Sequence, residues 1–119
     1  MPHPVVHFEI ACKDGEAGQK FYADLFGWKI SADNPMNYGI VEKDGENGIG
    51  GGITGIAEGS NHPGVTFYIE ADDLQACLDR AESLGDKMVM PVTEIPGFVT
   101  IAHFSDPDGN VIGLVKSMV

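Results

Sequence analysis

Residues 7–30 have the sequence HFEIACKDGEAGQKFYADLFGWKI, which predicts a strand followed by a helix. In the strand, which begins at Val5, apolar and polar side chains alternate, as expected where one sheet face packs on a core. Asp14 is placed to cap the helix, and Gly27 is placed to end it. Between these two ends, apolar residues recur every four positions, at Ala17, Phe21 and Leu25.

The same order of elements occurs twice along the chain. In the first half, the helix is followed by three strands, predicted at residues 28–31, 37–42 and 49–53. In the second half, a strand precedes a helix that Asp72 or Asp73 caps and Gly85 ends. The four strands of that half are predicted at residues 65–70, 88–93, 98–104 and 111–115.

A repeat of about 60 residues relates the two halves. The cap residues Asp14 and Asp73 are 59 positions apart, and the stop residues Gly27 and Gly85 are 58 positions apart. We therefore predict one domain, residues 1–119, built from two βαβββ modules at about 1–57 and 63–119. An exposed linker at residues 58–63 joins them. Two unrelated α+β halves of similar length are the alternative.

The apolar pattern also predicts which side chains enter the core. We expect Phe26 and Trp28 to lie there and to anchor the end of the first helix. In the second half, the strand should present Val65, Phe67 and Ile69 to a core. The second helix carries an apolar stripe formed by Leu74, Cys77, Leu78, Ala81 and Leu84.

Three stretches of the chain resemble the vicinal-oxygen-chelate superfamily, which includes glyoxalases, bleomycin resistance proteins and extradiol dioxygenases. They are the segment 7–30 quoted above, FYIEADDLQACLDRAESLGDKMVMP at residues 67–91, and FSDPDGNVIGLV at residues 104–115. Together they span most of the chain in the family's order. The resemblance implies an α+β fold in which two βαβββ modules form a cup-shaped mixed sheet with the helices outside.

The resemblance also implies where a metal ion would bind. In metal-dependent members, four ligands come from the first and last strands of each module. These positions fall at His7, near Gly51, at Thr66 and at Gly113. Only His7 could bind a metal through its side chain, and a catalytic site needs about three such ligands. We therefore expect no metal site and no other cofactor, in contrast to the family's lactoylglutathione lyases and extradiol dioxygenases.

Alternation along the strands predicts which polar residues share the face opposite the core. His7 and Glu9 share one such face in the first module. The turn at residues 106–110 predicts a hairpin with Ser105 opposite Val111, which places His103 beside Gly113. With Tyr38 and Phe98 as aromatic walls, the candidate ligand-binding residues are His7, Glu9, Tyr38, Thr66, Tyr68, Glu70, Phe98 and His103.

The roles of these residues stay open at the level of sequence. His7 and His103 are either polar side chains on a solvated sheet face, ligand contacts or metal ligands. Glu9 is either a carboxylate that orients a histidine or acts as a general base, or one member of an exposed pair. No residue is assigned as catalytic.

Three functions follow from these alternatives. The leading hypothesis is a small-molecule binding protein of the glyoxalase and bleomycin-resistance type that works without the usual metal. The second is a metal-dependent lyase, isomerase or dioxygenase. Its relocated site would hold a Zn, Ni, Mn or Fe ion through His7, His103 and either Glu9 or Glu70. The third is a dimerisation module, since small chains of this family commonly form homodimers.

Composition excludes several partners. The net charge of −11 argues against nucleic acid and anionic membranes, because both select Lys and Arg. We find neither a signal-peptide pattern near the N-terminus nor an apolar run long enough for a membrane span. Cys12 and Cys77 lack metal-type spacing and are predicted to be reduced thiols. We therefore expect a cytoplasmic protein.

Overall fold

A computed structural model describes residues 3–56 and 64–116, so the predicted linker at 58–63 lies outside the described residues. By its internal contacts the chain divides into two compact units. The first unit comprises residues 7–66, and the second comprises residues 1–6 together with residues 67–119. The N-terminal residues thus group with the second half rather than with the first. One contact within this second unit is a backbone hydrogen bond of 2.9 Å from Glu70 N to the Pro4 carbonyl.

The first unit follows the predicted βαβββ order. Its elements are β1 (Val5–Cys12, of which residues 7–12 belong to this unit), α1 (Gly15–Phe26), β2 (Ile30–Ser31), β3 (Gly39–Val41) and β4 (Gly50–Gly55). The strands lie side by side in the order β2-β3-β4-β1. Strands β1 and β4 are parallel, and the other two pairs are antiparallel. The parallel pair sets Glu9 beside Gly52 and Phe8 beside Gly51.

Both ends of α1 are as predicted from the sequence. The Asp14 side chain accepts a 3.1 Å hydrogen bond from the backbone N–H of Ala17, which satisfies one of the helix's unpaired donors. Gly27 adopts a left-handed conformation with φ of 70°, and its N–H donates to the Ala23 carbonyl at 2.8 Å. A glycine reaches this conformation without steric cost, which explains why the helix ends there.

The contact between α1 and its sheet differs from the prediction. Phe26 is 58% exposed, so its assignment to the core was wrong. Instead, its ring packs on Trp28, with ring centroids 5.3 Å apart, in an aromatic cluster at the end of the helix. The helix meets β1 through Gly18, where a Cβ atom would lie 2.5 Å from Cys12 Sγ. This close approach through glycine leaves the large apolar side chains of α1 beside the contact rather than within it.

The second unit also follows the βαβββ order. Its elements are β5 (Gly64–Ala71, of which residues 67–71 belong to this unit), α2 (Leu74–Ser83), β6 (Lys87–Ile95), β7 (Val99–Ser105) and β8 (Val111–Lys116). The strand order is β5-β8-β7-β6, with β5 parallel to β8 and the other pairs antiparallel. The predicted α+β class and the two βαβββ modules are therefore confirmed.

The core of the second unit lies between α2 and one face of its strands. It consists of Ala71, Leu74, Leu78, Ala102 and Leu114, with Ile69, Cys77 and Phe104 packed against it. Asp73, rather than Asp72, caps the helix by accepting a hydrogen bond from Ala76 N. Leu84 at the helix end and Val65 and Phe67 on β5 are exposed, so their predicted core positions were wrong. Period alone shows that side chains share a stripe, but not how far along the stripe the partner surface extends.

None of the helices in the described parts of the chain combines the length and the apolar content needed to cross a membrane.

We predict that Gly18→Ala lowers the free energy of unfolding by about 1 kcal/mol, because crowding against Cys12 outweighs the gain in helix propensity. In a Cys12→Ala background the sulfur is gone, and Gly18→Ala should become neutral or stabilising. Urea unfolding of the four proteins measures both effects. An equal loss in the two backgrounds would show that Gly18 is not the point of contact.

Candidate functional site

Each unit holds a cluster of polar side chains on the face of its strands that points away from its helix. In β1, Cys12 lies against α1 at Gly18, and Phe8 packs on Trp28 with ring centroids 5.6 Å apart. Side chains alternate along a strand, so His7 and Glu9 point to the opposite face. This is the arrangement predicted from the sequence for these two residues.

Tyr38 joins His7 and Glu9 into one hydrogen-bonded chain. The Tyr38 hydroxyl lies 2.8 Å from His7 Nε2 and donates to Glu9 Oε1 at 3.1 Å. A phenol hydroxyl has one proton to donate, and here it donates that hydrogen bond to Glu9. The 2.8 Å contact therefore requires His7 Nε2 to carry a proton and to donate to the Tyr38 oxygen. The two rings are nearly parallel, with an interplanar angle of 17° and centroids 6.2 Å apart.

Burial sets the protonation state of His7. Removal of the imidazole from water lowers the pKa of His7 below its ordinary value, and the nearby Glu9 carboxylate opposes this effect more weakly. The lowered pKa therefore favours the neutral imidazole of His7 near pH 7. The cluster then carries one negative charge, on Glu9.

A short segment, residues 34–38, brings Tyr38 to this position, and we call it the Tyr38 arm. The Asn34 amide donates to the Tyr38 carbonyl at 2.7 Å, and its oxygen accepts from Tyr38 N at 2.9 Å. From α1, Gln19 Nε2 donates to the carbonyls of Asn37 in the arm and of Ile53 in β4. Side chains from two directions thus fix the backbone of the arm.

Glycine in β4 provides the space for the ring of Tyr38. Gly52 lies beside Glu9 in the parallel pair β1–β4. A Cβ atom built at Gly52 would overlap the ring and hydroxyl of Tyr38. Any side chain at position 52 would therefore displace the tyrosine.

The second unit contains a related cluster formed by Tyr68 and His103. The Tyr68 hydroxyl lies 2.8 Å from His103 Nε2, and the two ring centroids are 5.5 Å apart. Tyr68 is only 4% exposed. Gly113 lies beside both residues in the sheet, and a Cβ atom built there would overlap the Tyr68 ring. The predicted hairpin register, with His103 beside Gly113 and Ser105 beside Val111, is confirmed.

The eight candidate residues are thus distributed unevenly. Five of them fall into the two clusters: His7, Glu9 and Tyr38 in the first unit, and Tyr68 and His103 in the second. Glu70 lies two positions beyond Tyr68 on β5, where its carbonyl contacts His3 Nδ1 at 3.3 Å. Thr66 is half-buried on β5. Phe98 lies at the β6–β7 turn, five positions before His103 in the sequence. Its N–H donates to the Ile95 carbonyl.

Asn34, Gln19 and Gly52 were not identified from the sequence as parts of the site. The Asn34-Pro35 pair is a turn signal, but nothing in its neighbourhood indicates that the turn holds a tyrosine. Gln19 occupies an ordinary helix position. Its partners are 18 and 34 positions away, so only the fold reveals its role.

The side chains of these clusters do not fit a divalent metal ion. Among residues 3–56 and 64–116, no three His, Cys, Asp or Glu side chains form a group that could hold one. The first cluster offers one imidazole and one carboxylate, and a phenol separates them. A catalytic metal site normally has about three protein ligands.

The sequence of the chain matches a known protein family along most of its length. The match is to the Glyoxalase/Bleomycin resistance protein/Dioxygenase superfamily and extends over residues 5–114. The chain belongs to this superfamily. The resemblance drawn from the three sequence stretches is confirmed.

Relatives of the superfamily differ in length from this chain. It is 32% identical over 110 residues to a glyoxylase-like domain-containing protein of Didymella fabae, covering 86% of this chain and 84% of that protein. Identity is 31% to a Mycobacterium tuberculosis protein named as a glyoxylase, covering 89% of this chain but 42% of that protein. Identity is 25% to the anthracycline biosynthesis protein DnrV of Streptomyces peucetius, covering 86% of this chain and again 42% of that protein.

Two solved structures share the fold of this chain. A member from Vibrio splendidus aligns with a TM-score of 0.68 and 23% identity, covering 98% of this chain and 100% of that one. Methylmalonyl-CoA epimerase from Mycobacterium tuberculosis aligns with a TM-score of 0.69 and 19% identity, covering 97% of this chain and 88% of that one. At these identities the likeness establishes the fold alone.

We predict that His7 makes the protein less stable at acid pH. Its pKa is lowered in the folded chain, so below its ordinary value of 6.5 the unfolded chain binds more protons than the folded one. Stability should therefore fall as the pH drops through and below 6.5, and His7→Gln should reduce that fall. Urea midpoints at about pH 7.5 and 5.5 measure it.

His3→Gln, which removes an exposed histidine, is the control for loss of an imidazole as such. An undiminished acid loss in His7→Gln would contradict the assignment.

Proposed function

We propose that this chain binds a small organic molecule at the His7–Glu9–Tyr38 cluster, without a resident metal ion. The supporting observation is the hydrogen-bonded chain in which the Tyr38 hydroxyl lies between an imidazole and a carboxylate. Binding sites for small molecules combine apolar walls with a few polar groups in fixed positions. The cluster provides such groups, and the aromatic faces of His7 and Tyr38 provide flat surface beside them.

Charge favours a neutral or cationic ligand over an anionic one. Glu9 contributes a carboxylate, and strands β1–β4 contain no Lys or Arg. The whole chain carries a net charge of −11, which repels anions at long range. The face of Tyr38 attracts a cation through its ring quadrupole. We therefore propose an aromatic, amine-bearing ligand.

The relatives suggest two ligand classes to compare. The name of DnrV connects that protein with anthracycline biosynthesis, and several structural neighbours are methylmalonyl-CoA epimerases. Coenzyme A thioesters are polyanions, whereas anthracyclines such as daunorubicin are planar and carry an amino group. The charge of this chain supports the anthracycline type.

A metal-dependent lyase, isomerase or dioxygenase is the alternative activity. It requires a ligand set that the described residues do not bring together. Elemental mass spectrometry after incubation with Zn, Ni, Mn and Fe(II) tests it. About one tightly held equivalent would favour this alternative over metal-free binding.

We further propose that the protein acts in the cytoplasm as a homodimer. Cys12 and Cys77 are free thiols, which suits a reducing compartment. Phe21, Leu25 and Phe26 are exposed on α1 and offer apolar surface for a partner. Light scattering of the purified protein tests the dimer.

We predict that daunorubicin binds in the presence of EDTA and that Glu9→Gln weakens binding about tenfold or more, as expected for a charged hydrogen-bonding partner. Glu16→Gln, which removes an exposed carboxylate on α1, should leave the affinity unchanged. Quenching of the drug's fluorescence reports binding, and methylmalonyl-CoA serves as the anionic comparison.

Three results would count against the proposal. Binding of the thioester but not of daunorubicin would refute the preference for cations. Equal effects of Glu9→Gln and Glu16→Gln would remove the cluster from the site. Absence of binding by both probes at about 100 µM would exclude both ligand classes.

A further inference from the structure

The hydroxyl of Tyr38 occupies a point on which two metal-binding side chains converge. His7 Nε2 lies 2.8 Å from it and Glu9 Oε1 lies 3.1 Å from it. An imidazole nitrogen and a carboxylate oxygen are donors that zinc and nickel accept. In this chain, a phenol instead of a cation lies between them.

We propose that Tyr38 takes the place of a metal ion in the first unit. Its hydroxyl links His7 to Glu9 through two hydrogen bonds, so the phenol holds the two groups together where a metal ion would otherwise bridge them. This inference does not depend on which small molecule the protein binds.

Steric exclusion in β4 supports the same conclusion. The family resemblance places a metal ligand near Gly51, on the last strand of the module. The neighbouring position that shares a face with Glu9 is Gly52, and any Cβ atom there would overlap Tyr38. A metal-binding side chain from this position and the Tyr38 ring therefore exclude each other.

In the second unit, a different tyrosine and glycine exclude a metal-binding side chain in the same way. Its last strand has Gly113 at the corresponding ligand position, and the Tyr68 ring covers it. The Tyr68 hydroxyl again lies 2.8 Å from an imidazole, that of His103. In both units a tyrosine ring thus lies over a glycine of the last strand, at Gly52 in the first and at Gly113 in the second.

The origin of these residues shows that the internal repeat did not simply copy the arrangement. Tyr38 comes from the segment before β3, whereas Tyr68 comes from β5, the first strand of its module. His7 lies on a first strand, but His103 lies on β7. A tyrosine–histidine contact of 2.8 Å therefore forms in each unit from different positions of the repeat.

Hydrogen bonds to the Tyr38 arm hold the tyrosine in this position. Asn34 holds the backbone of Tyr38 through two hydrogen bonds, and Gln19 ties the arm to β4. An ion that entered between His7 and Glu9 would have to displace a ring whose backbone is fixed at both sides.

Zinc binding by a variant at position 38 tests the proposal, and Tyr38→His is the decisive substitution. A histidine nitrogen at position 38 reaches less far than the phenol oxygen, by roughly the length of a metal–nitrogen bond. It should therefore complete a site of two imidazoles and one carboxylate with His7 and Glu9. Calorimetry of untagged protein should show one zinc ion bound with a Kd of about 1 µM or tighter.

Control variants identify the ligands. Wild-type protein should bind no zinc at this position at about 100 µM. Adding His7→Gln to Tyr38→His should abolish the new site, whereas Tyr22→His, which adds a histidine elsewhere in the same unit, should create none. A folded Tyr38→His protein that binds no zinc, or wild-type protein that binds it as tightly, would overturn the inference.

A measurement on wild-type protein covers the case in which Tyr38→His does not fold. The ¹⁵N signal of His7 should show the proton on Nε2, and about 1 mM zinc should leave that signal unchanged. Movement of the signal with zinc would overturn the replacement. Failure of zinc binding by the variant leaves ligand binding intact, and failure of daunorubicin binding leaves the replacement intact.

Discussion

The close approach of a tyrosine ring to a glycine on the last strand of each unit is the constraint on which both candidate clusters depend. Gly52 and Gly113 carry no Cβ atom, so the rings of Tyr38 and Tyr68 can lie directly on the sheet. Each hydroxyl then lies 2.8 Å from a histidine nitrogen. A methyl group at either glycine would move the ring and break that hydrogen bond. The tyrosine–histidine contacts of both clusters therefore depend on glycine at these two positions.

Hydrogen-bond polarity follows from this geometry and links it to charge. Because the Tyr38 proton points to Glu9, His7 must donate its own proton to the phenol oxygen. Burial separately favours the neutral form of this imidazole, since the charged form loses more hydration. With His7 neutral, the charge of the cluster is that of Glu9.

The sequence predicts the order of elements well because their signals are local. Asp14 and Gly27 act within one helix turn, and the turn at residues 106–110 fixes the β7–β8 register through the Asp106 side chain, which accepts hydrogen bonds from Asp108 and Asn110. That local register is why His103 could be placed beside Gly113 in advance. Prediction of the side chains on α1 failed for the opposite reason. The exposure of Phe26 and the close approach of Gly18 to Cys12 are both set by tertiary packing, which a helical period does not describe.

The Tyr38 arm shows the same limit for the site. Alternation in β1 indicates that His7 and Glu9 share a face, but their common partner comes from a segment about 30 positions away. Asn34 and Gln19 position that segment through contacts that no spacing rule predicts. The role of Tyr38 as an aromatic wall was inferred from the sequence, whereas its hydrogen bonds to both residues required the fold.

Replacement of a metal ion by a phenol changes what the superfamily's fold can recognise. A metal ion attracts oxygen atoms of a ligand by charge and accepts several of them in varied geometry. A tyrosine held between an imidazole and a carboxylate instead presents directional hydrogen bonds and a flat ring. The first kind of site favours chelating anionic oxygens, and the second favours donors, cations and aromatic surfaces. The excess of acidic residues in this chain, 18 against 7 basic ones, agrees with the second kind, because a negative net charge repels an anionic ligand.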